Sequence, residues 1–158
     1  TIIEYAAFCG SLQIFKYLID KQVCITNNIF LYAVHGNNPE IIQYLESNLN
    51  SDKDDISFEQ CFKEAIKCHH NDLADYIQKK FLDQNEMEYR QLNNYKENIL
   101  SYSFHYYNFA YFTSDPNNNF ILHYVCQYDY FTLLNLLLKT KGFDIKKKII
   151  LHIEFIIF

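Results

Sequence analysis

The densest group of side chains able to do chemistry is Cys61, Cys68, His69 and His70. Thiolate sulfur and imidazole nitrogen are the usual zinc donors, and a structural zinc needs four of them in a tetrahedron. Residues 68 to 70 are consecutive, and consecutive residues on a helix point about 100° apart, so they do not converge on one ion. No C-x-x-C occurs in the chain, and no metal ligand is assigned. The acidic stretch Asn48–Asp55 has the polarity of a calcium loop, but Ile56 stands at a ligand place and the turn glycine is missing. Nucleophilic catalysis needs a Ser or Cys beside a base and an orienting group. No elbow motif surrounds any serine, and every cysteine has a helix-face explanation. Three glycines in the whole chain cannot build a phosphate cradle. The chain reads as non-catalytic, with no cofactor.

Composition narrows the class further. With 158 residues, 49% of them hydrophobic, the chain can bury a core and is not wholly disordered. A net charge of −5 argues against nucleic acid as partner, since phosphate binding needs clustered Lys and Arg. The basic run is confined to Lys139, Lys141 and Lys146 to Lys148, and the acidic balance lies around Asp52, Asp54, Asp55, Glu59 and Glu64. The 14 Tyr and 14 Phe accompany abundant Asn, Ile and Lys, the pattern of an AT-rich coding sequence, so they mark no ligand site by themselves. Five cysteines, no signal peptide and no glycosylation sequon fit reduced thiols in the cytoplasm or nucleus. No apolar run reaches membrane-spanning length. Ile149–Phe158 comes nearest, and it carries His152 and Glu154.

The elements that position these residues recur. In Thr1–Val23, Thr1 caps a helix whose Ile3, Ala6 and Ala7 share a face. Gly10 ends it with a positive φ, and Ser11 caps a second helix with Leu12, Ile14, Phe15, Leu18 and Ile19 on its apolar face. Helices this short are unstable alone, so the unit must stack on copies of itself. In Asn28–Glu46, Asn28 takes the place of Thr1, Ala33 that of Ala6 and Asn37 that of Gly10. Asn38-Pro39-Glu40 opens a helix in which Ile41, Ile42 and Leu45 repeat Ile14, Phe15 and Leu18. A third copy, Ser57–Lys80, has a capping box in Ser57 and Gln60, Ala65 at the small place, His69 or His70 at the turn, and Leu73, Ala74 and Ile77 facing inward. A weak fourth begins at Asn98 with Ser103 at the small place and a short second helix from Asn108. In the fifth, Val125 and Cys126 form the small pair, Asp129 the turn, and Leu133, Leu134, Leu137 and Leu138 the second face.

TIIEYAAFCGSLQIFKYL resembles the ankyrin repeat pattern T-P-L-H-x-A-A-x-x-G-H-x-E-I-V-x-x-L-L, with Ile2 in place of the Pro and Glu4 in place of the His. FILHYVCQYDYFTLLNLLL supplies the L-H pair as Leu122-His123, and Leu151-His152 starts a truncated copy. Gly142-Phe143-Asp144-Ile145 is similar to the hairpin tip of that family. The array as a whole resembles the divergent ankyrin families expanded in some unicellular eukaryotes. A tetratricopeptide array fits less well, because its helices are longer and its Trp is missing here. The resemblance implies an all-α, ankyrin-type helix-turn-helix solenoid of about five repeats with short hairpin loops. The repeats run approximately 1–27, 28–56, 57–81, 98–114 and 119–146, with a partial copy at 149–158. Residues 82–97 form an irregular insert or a degenerate repeat. His123 and His152 are then structural hydrogen-bonding groups.

For function, the resemblance implies a monomeric scaffold that binds an unidentified protein through the concave first-helix face and the loop tips. Phe8, Cys9, His35, Lys67, Cys68, His105, Tyr106, Gln127 and Tyr128 follow the small pair in their copies and are the partner-binding candidates. The alternative is the ankyrin segment of a larger protein whose enzymatic or membrane domain lies outside this chain, since the chain starts on a motif and stops inside an apolar run.

Overall fold

The structure is a computed structural model that describes residues 1–26, 28–48, 56–82, 99–112 and 120–139. Among these residues all regular structure is helical, with no strand. The chain divides into two compact units, Thr1–Leu92 and Asn93–Phe158. The first unit holds α1 (Ile2–Phe8), α2 (Leu12–Asp20), α3 (Ile29–Gly36), α4 (Pro39–Asn48), α5 (Phe58–Lys67) and α6 (Asn71–Ile77), and α6 continues into a π-helical turn, Gln78–Leu82. The second holds a helix over residues 99–105 (α7), a 3-10 turn at Phe109–Tyr111, α8 (Phe120–Gln127) and α9 (Phe131–Lys139). Among the described residues, no helix is long and apolar enough to cross a membrane. The expectations read for the acidic residues 49–55, for most of 82–97, for 142–145 and for 149–158 lie outside the described residues.

The first helix of each pair ends on a left-handed residue: Gly10, Asn37, His69, Tyr107 and Asp129 have φ of 63°, 49°, 60°, 58° and 53°. At four of these turns two backbone bonds close the helix end. The amides of Ser11, His70, Asn108 and Tyr130 donate to the carbonyls of Ala6, Ala65, Ser103 and Val125 at 2.8 to 2.9 Å. The amides of Gly10, His69, Tyr107 and Asp129 donate to Ala7, Ile66, Phe104 and Cys126 at 3.0 to 3.3 Å. This Schellman arrangement satisfies carbonyls that a helix end otherwise leaves open. Its acceptors are the small-place residues at which the copies align in sequence. Asn37 closes α3 with a single amide bond to Ala33, 3.0 Å. Glycine adopts this conformation without strain and Asn at little cost. Tyr107 is no turn residue by type, and the paired bonds hold it there.

The caps are mixed. Thr1 and Glu4 form a reciprocal capping box. Asn38 Oδ1 accepts from the amides of Glu40 (3.0 Å) and Ile41 (3.4 Å), and Ser57 Oγ from Gln60 (3.3 Å). Ser11 and Asn28 sit at cap positions but make no side-chain cap bond.

In the first unit α1 packs against α3 and α3 against α5, while α2 packs against α4. Phe15, Ile29, Phe30, Ile41, Leu45, Phe62, Ile66 and Ile77 are fully enclosed between them. Gly36 is the point of closest approach: a Cβ there would lie 2.1 Å from the Ala7 carbonyl oxygen and 2.7 Å from the Gly10 nitrogen. Ile14, expected on the buried face of α2, is 54% exposed, whereas its repeat-two counterpart Ile41 is 0% exposed. Ile2 and Ile29 differ in the same way, at 65% and 0%. The reason is stacking: the second pair rests on the first, which covers Ile29 and Ile41. In the second unit Leu100, Phe104, Ile121, Val125 and Leu137 form the core, with Leu133 and Leu134 packed partly against it. Leu138 and Cys126, expected inward, are exposed, each one residue and thus about 100° past a buried neighbour.

Candidate functional site

α3 and α5 lie side by side and bring the ends of two first helices together. His35 is one residue before Gly36, on the last turn of α3. Cys68 is the C-cap of α5, and Glu64 lies one turn before it. His35 Nδ1–H donates to Glu64 Oε1 at 2.9 Å and also lies 3.2 Å from Cys68 Sγ. The Cys68 thiol donates to the same Glu64 oxygen at 3.6 Å. Lys67 Nζ holds both oxygens of Glu64, at 3.1 and 3.0 Å. On the far side, the His35 ring stacks on Phe8 of α1, with centroids 3.8 Å apart and planes 11° apart. His70 fixes the backbone below, its Nε2–H donating to the His35 carbonyl at 3.0 Å.

The electrostatics follow from this crowding. Burial alone would raise the Glu64 carboxyl, but hydrogen bonds and charge from His35 and Lys67 outweigh it and hold the group below the usual carboxylate range. Burial, and then the neighbouring Glu64 carboxylate, push the Cys68 thiol up to about 11. Cys61, enclosed in the core, is pushed up to about 12 by burial. Both are thiols at neutral pH, which fits neither with a nucleophilic role.

Of the candidates read from sequence, Phe8, His35 and Cys68 form one contiguous strip, and Lys67 joins it through Glu64. His105, Tyr106 and Tyr128 form a second cluster in the other unit. His105 stands edge-on to Tyr106 at 4.6 Å and packs against Tyr128 at 5.7 Å. Cys9 and Gln127 are exposed and stand outside both clusters. Cys68, His69 and His70 do diverge, through the left-handed turn at His69 rather than around a helix. Sequence reasoning missed Glu64 as a site residue. Its signal was the spacing Glu64-x-x-x-Cys68, which places both side chains on one helix face. Its place in the repeat is held by Tyr5 and Tyr32 in the earlier copies.

Compared with protein-family models, with curated protein sequences and with solved structures, the chain matches none of them.

Proposed function

We propose that this chain is a non-catalytic scaffold of ankyrin type, a solenoid of stacked helix pairs that binds a protein partner through its first-helix face and turn tips. The repeated left-handed turns, closed on the small-place carbonyls, support the repeat reading. The observation that carries the binding reading is the strip of Phe8, His35 and Cys68, which crosses three successive first helices without a break. Phe8 is 37% exposed and the His35 side chain 31%, so both rings are partly open to a partner while packed on each other. The cluster of His105, Tyr106 and Tyr128 offers a comparable surface in the second unit. We place the protein in the cytoplasm or nucleus, as a monomer with reduced thiols.

The test is affinity purification of the full chain followed by mass spectrometry, repeated with the double variants F8A/H35A and Y106A/Y128A. Each variant must first show wild-type helical content by circular dichroism. The scaffold reading expects a specific protein to be retained by the wild type and lost from at least one double variant. Retention by both removes the surface assignment.

A further inference from the structure

Three donor atoms of different chemistry converge at the α3–α5 contact: His35 Nδ1, Glu64 Oε1 and Cys68 Sγ. Their separations are 2.9, 3.2 and 3.6 Å. In a tetrahedral zinc site the metal–nitrogen and metal–oxygen bonds are about 2.0 Å and the metal–sulfur bond about 2.3 Å, which sets donor–donor edges of roughly 3.2 to 3.6 Å. The cluster is therefore within a few tenths of an ångström of the required triangle.

We propose that His35, Glu64 and Cys68 form a three-ligand site for zinc or a similar borderline-soft divalent cation, with the fourth position left to water or an outside donor. The donor set selects the ion. Magnesium and calcium take oxygen ligands, whereas one sulfur, one imidazole nitrogen and one carboxylate oxygen suit a late first-row metal. The ligands are also held from behind. Phe8 fixes the plane of the His35 ring, His70 holds its backbone, and Lys67 keeps the second Glu64 oxygen. Such outer contacts orient ligands for a metal. His35 Nδ1–H, the Cys68 thiol and Lys67 Nζ converge on Glu64 Oε1. Binding an ion there moves two of these protons. The thiol proton leaves to solvent, the imidazole proton shifts from Nδ1 to Nε2, and the divalent charge is balanced by one thiolate and one carboxylate. This inference does not depend on the partner-binding reading.

The test is titration of cobalt(II) into the reduced, metal-free full chain, followed optically. One equivalent should produce thiolate-to-cobalt charge-transfer absorption and the intense visible bands of four-coordinate cobalt, and one equivalent of zinc should abolish them. C68S and H35Q should lose the charge-transfer band or the stoichiometric step. E64Q should weaken binding, and C24S, at an exposed cysteine, should behave as wild type. No charge-transfer band in the wild type, or an equal band in folded C68S, overturns the site. Where C68S does not fold, alkylation of the wild-type chain decides. Zinc should protect Cys68 and not Cys24, and unchanged Cys68 labelling overturns the proposal.

Discussion

The imidazole of His35 lies flat on the ring of Phe8, with centroids 3.8 Å and planes 11° apart. The pair joins the first helices of consecutive repeats, since Phe8 ends α1 and His35 is on the last turn of α3. Stacked aromatic pairs contribute about 0.5–1.5 kcal/mol beyond their buried area. Phe8→Ala loses this and the buried area of the ring, so it should lower unfolding free energy by more than about 1 kcal/mol. It should also remove the ring-current shift from the His35 ring protons, which then move downfield in the proton NMR spectrum. Unmoved His35 resonances would show that the rings are not stacked in solution.

Ile2 and Ile29 are the same residue type at equivalent places, 65% and 0% exposed. Truncating an enclosed isoleucine to alanine costs about 2–5 kcal/mol, while an exposed one away from special features costs within about 0.5 kcal/mol. Ile29→Ala should thus destabilise severely and Ile2→Ala barely, as read by urea denaturation. Ile41→Ala and Ile14→Ala should repeat the contrast. Equal effects within either pair would mean that the second helix pair does not rest on the first.

Gly36 has almost no room for a side chain, because a Cβ would sit 2.1 Å from the Ala7 carbonyl oxygen. That atom is backbone and cannot swing aside, so Gly36→Ala must push α3 away from α1. Overpacking of this kind costs typically about 1–3 kcal/mol. Ala6→Leu, at a 4% exposed position in the same contact, should cost at least as much and unfold the first unit. Thermal melts of both variants check this. A wild-type melting temperature for Gly36→Ala would contradict the close approach.

Glu4 closes the capping box of α1 and also bonds Thr26, 22 residues further along the chain. It accepts from the Thr1 nitrogen of the capping box and from the Thr26 hydroxyl, and hydrogen bonds to the charged carboxylate hold its pKa below the usual range. A carboxylate with a depressed folded-state pKa stabilises the fold above its unfolded pKa, and that contribution is lost as pH falls through the folded value. The stability difference between wild type and Glu4→Gln should be constant above about pH 5.5 and shrink steadily towards pH 2. A pH-independent difference would leave the Glu4 bonds without a role.

Much of the fold was legible because the turns are written in residue type. Gly10, Asn37 and Asp129 tolerate a left-handed backbone, and the small residues Ala6, Ala33 and Ala65 mark where helices meet. Tyr107 was not legible: a tyrosine carries no turn signal, and its conformation comes from the bonds closing α7. The exposure of Ile14 was hidden for another reason. Helical periodicity gives the direction of a side chain around its own axis, not whether a neighbouring pair covers it. Glu64 escaped notice because its partners, His35 and Cys68, lie 29 residues before it and four residues after it, and only the packing of α3 on α5 closes the first gap. Phe8 and His35 were legible as equivalent places in the repeat and Cys68 as the place one residue further on, but not as neighbours of a set of converging donor atoms.

The residue following the left-handed turn reaches back to the preceding pair in three copies, each time with a different donor. Asn38 Nδ2 donates to the Gly10 carbonyl at 3.0 Å, His70 Nε2 to that of His35 at 3.0 Å, and the Tyr130 hydroxyl to that of Phe104 at 2.5 Å. Each bond brings a donor from the next pair to a carbonyl at the end of a first helix, and those of Gly10 and Phe104 also accept a local amide, from Leu12 and Tyr107. Each also ties one repeat to the next, so losing it should loosen the stack as well as the helix end. Net hydrogen bonds of this kind contribute about 0.5–1.5 kcal/mol. Tyr130→Phe removes the hydroxyl and keeps the ring that packs on Phe104. It should lower stability by about 1 kcal/mol, with faster amide exchange concentrated in the last turn of α7. His70→Ala should do the same to the end of α3, and Asn38→Ala to the end of α1 together with the first turn of α4, which Asn38 caps. His70→Gln should restore part of the loss by supplying another side-chain donor. If exchange rises evenly along the chain in all three variants, these bonds do not tie one repeat to the next.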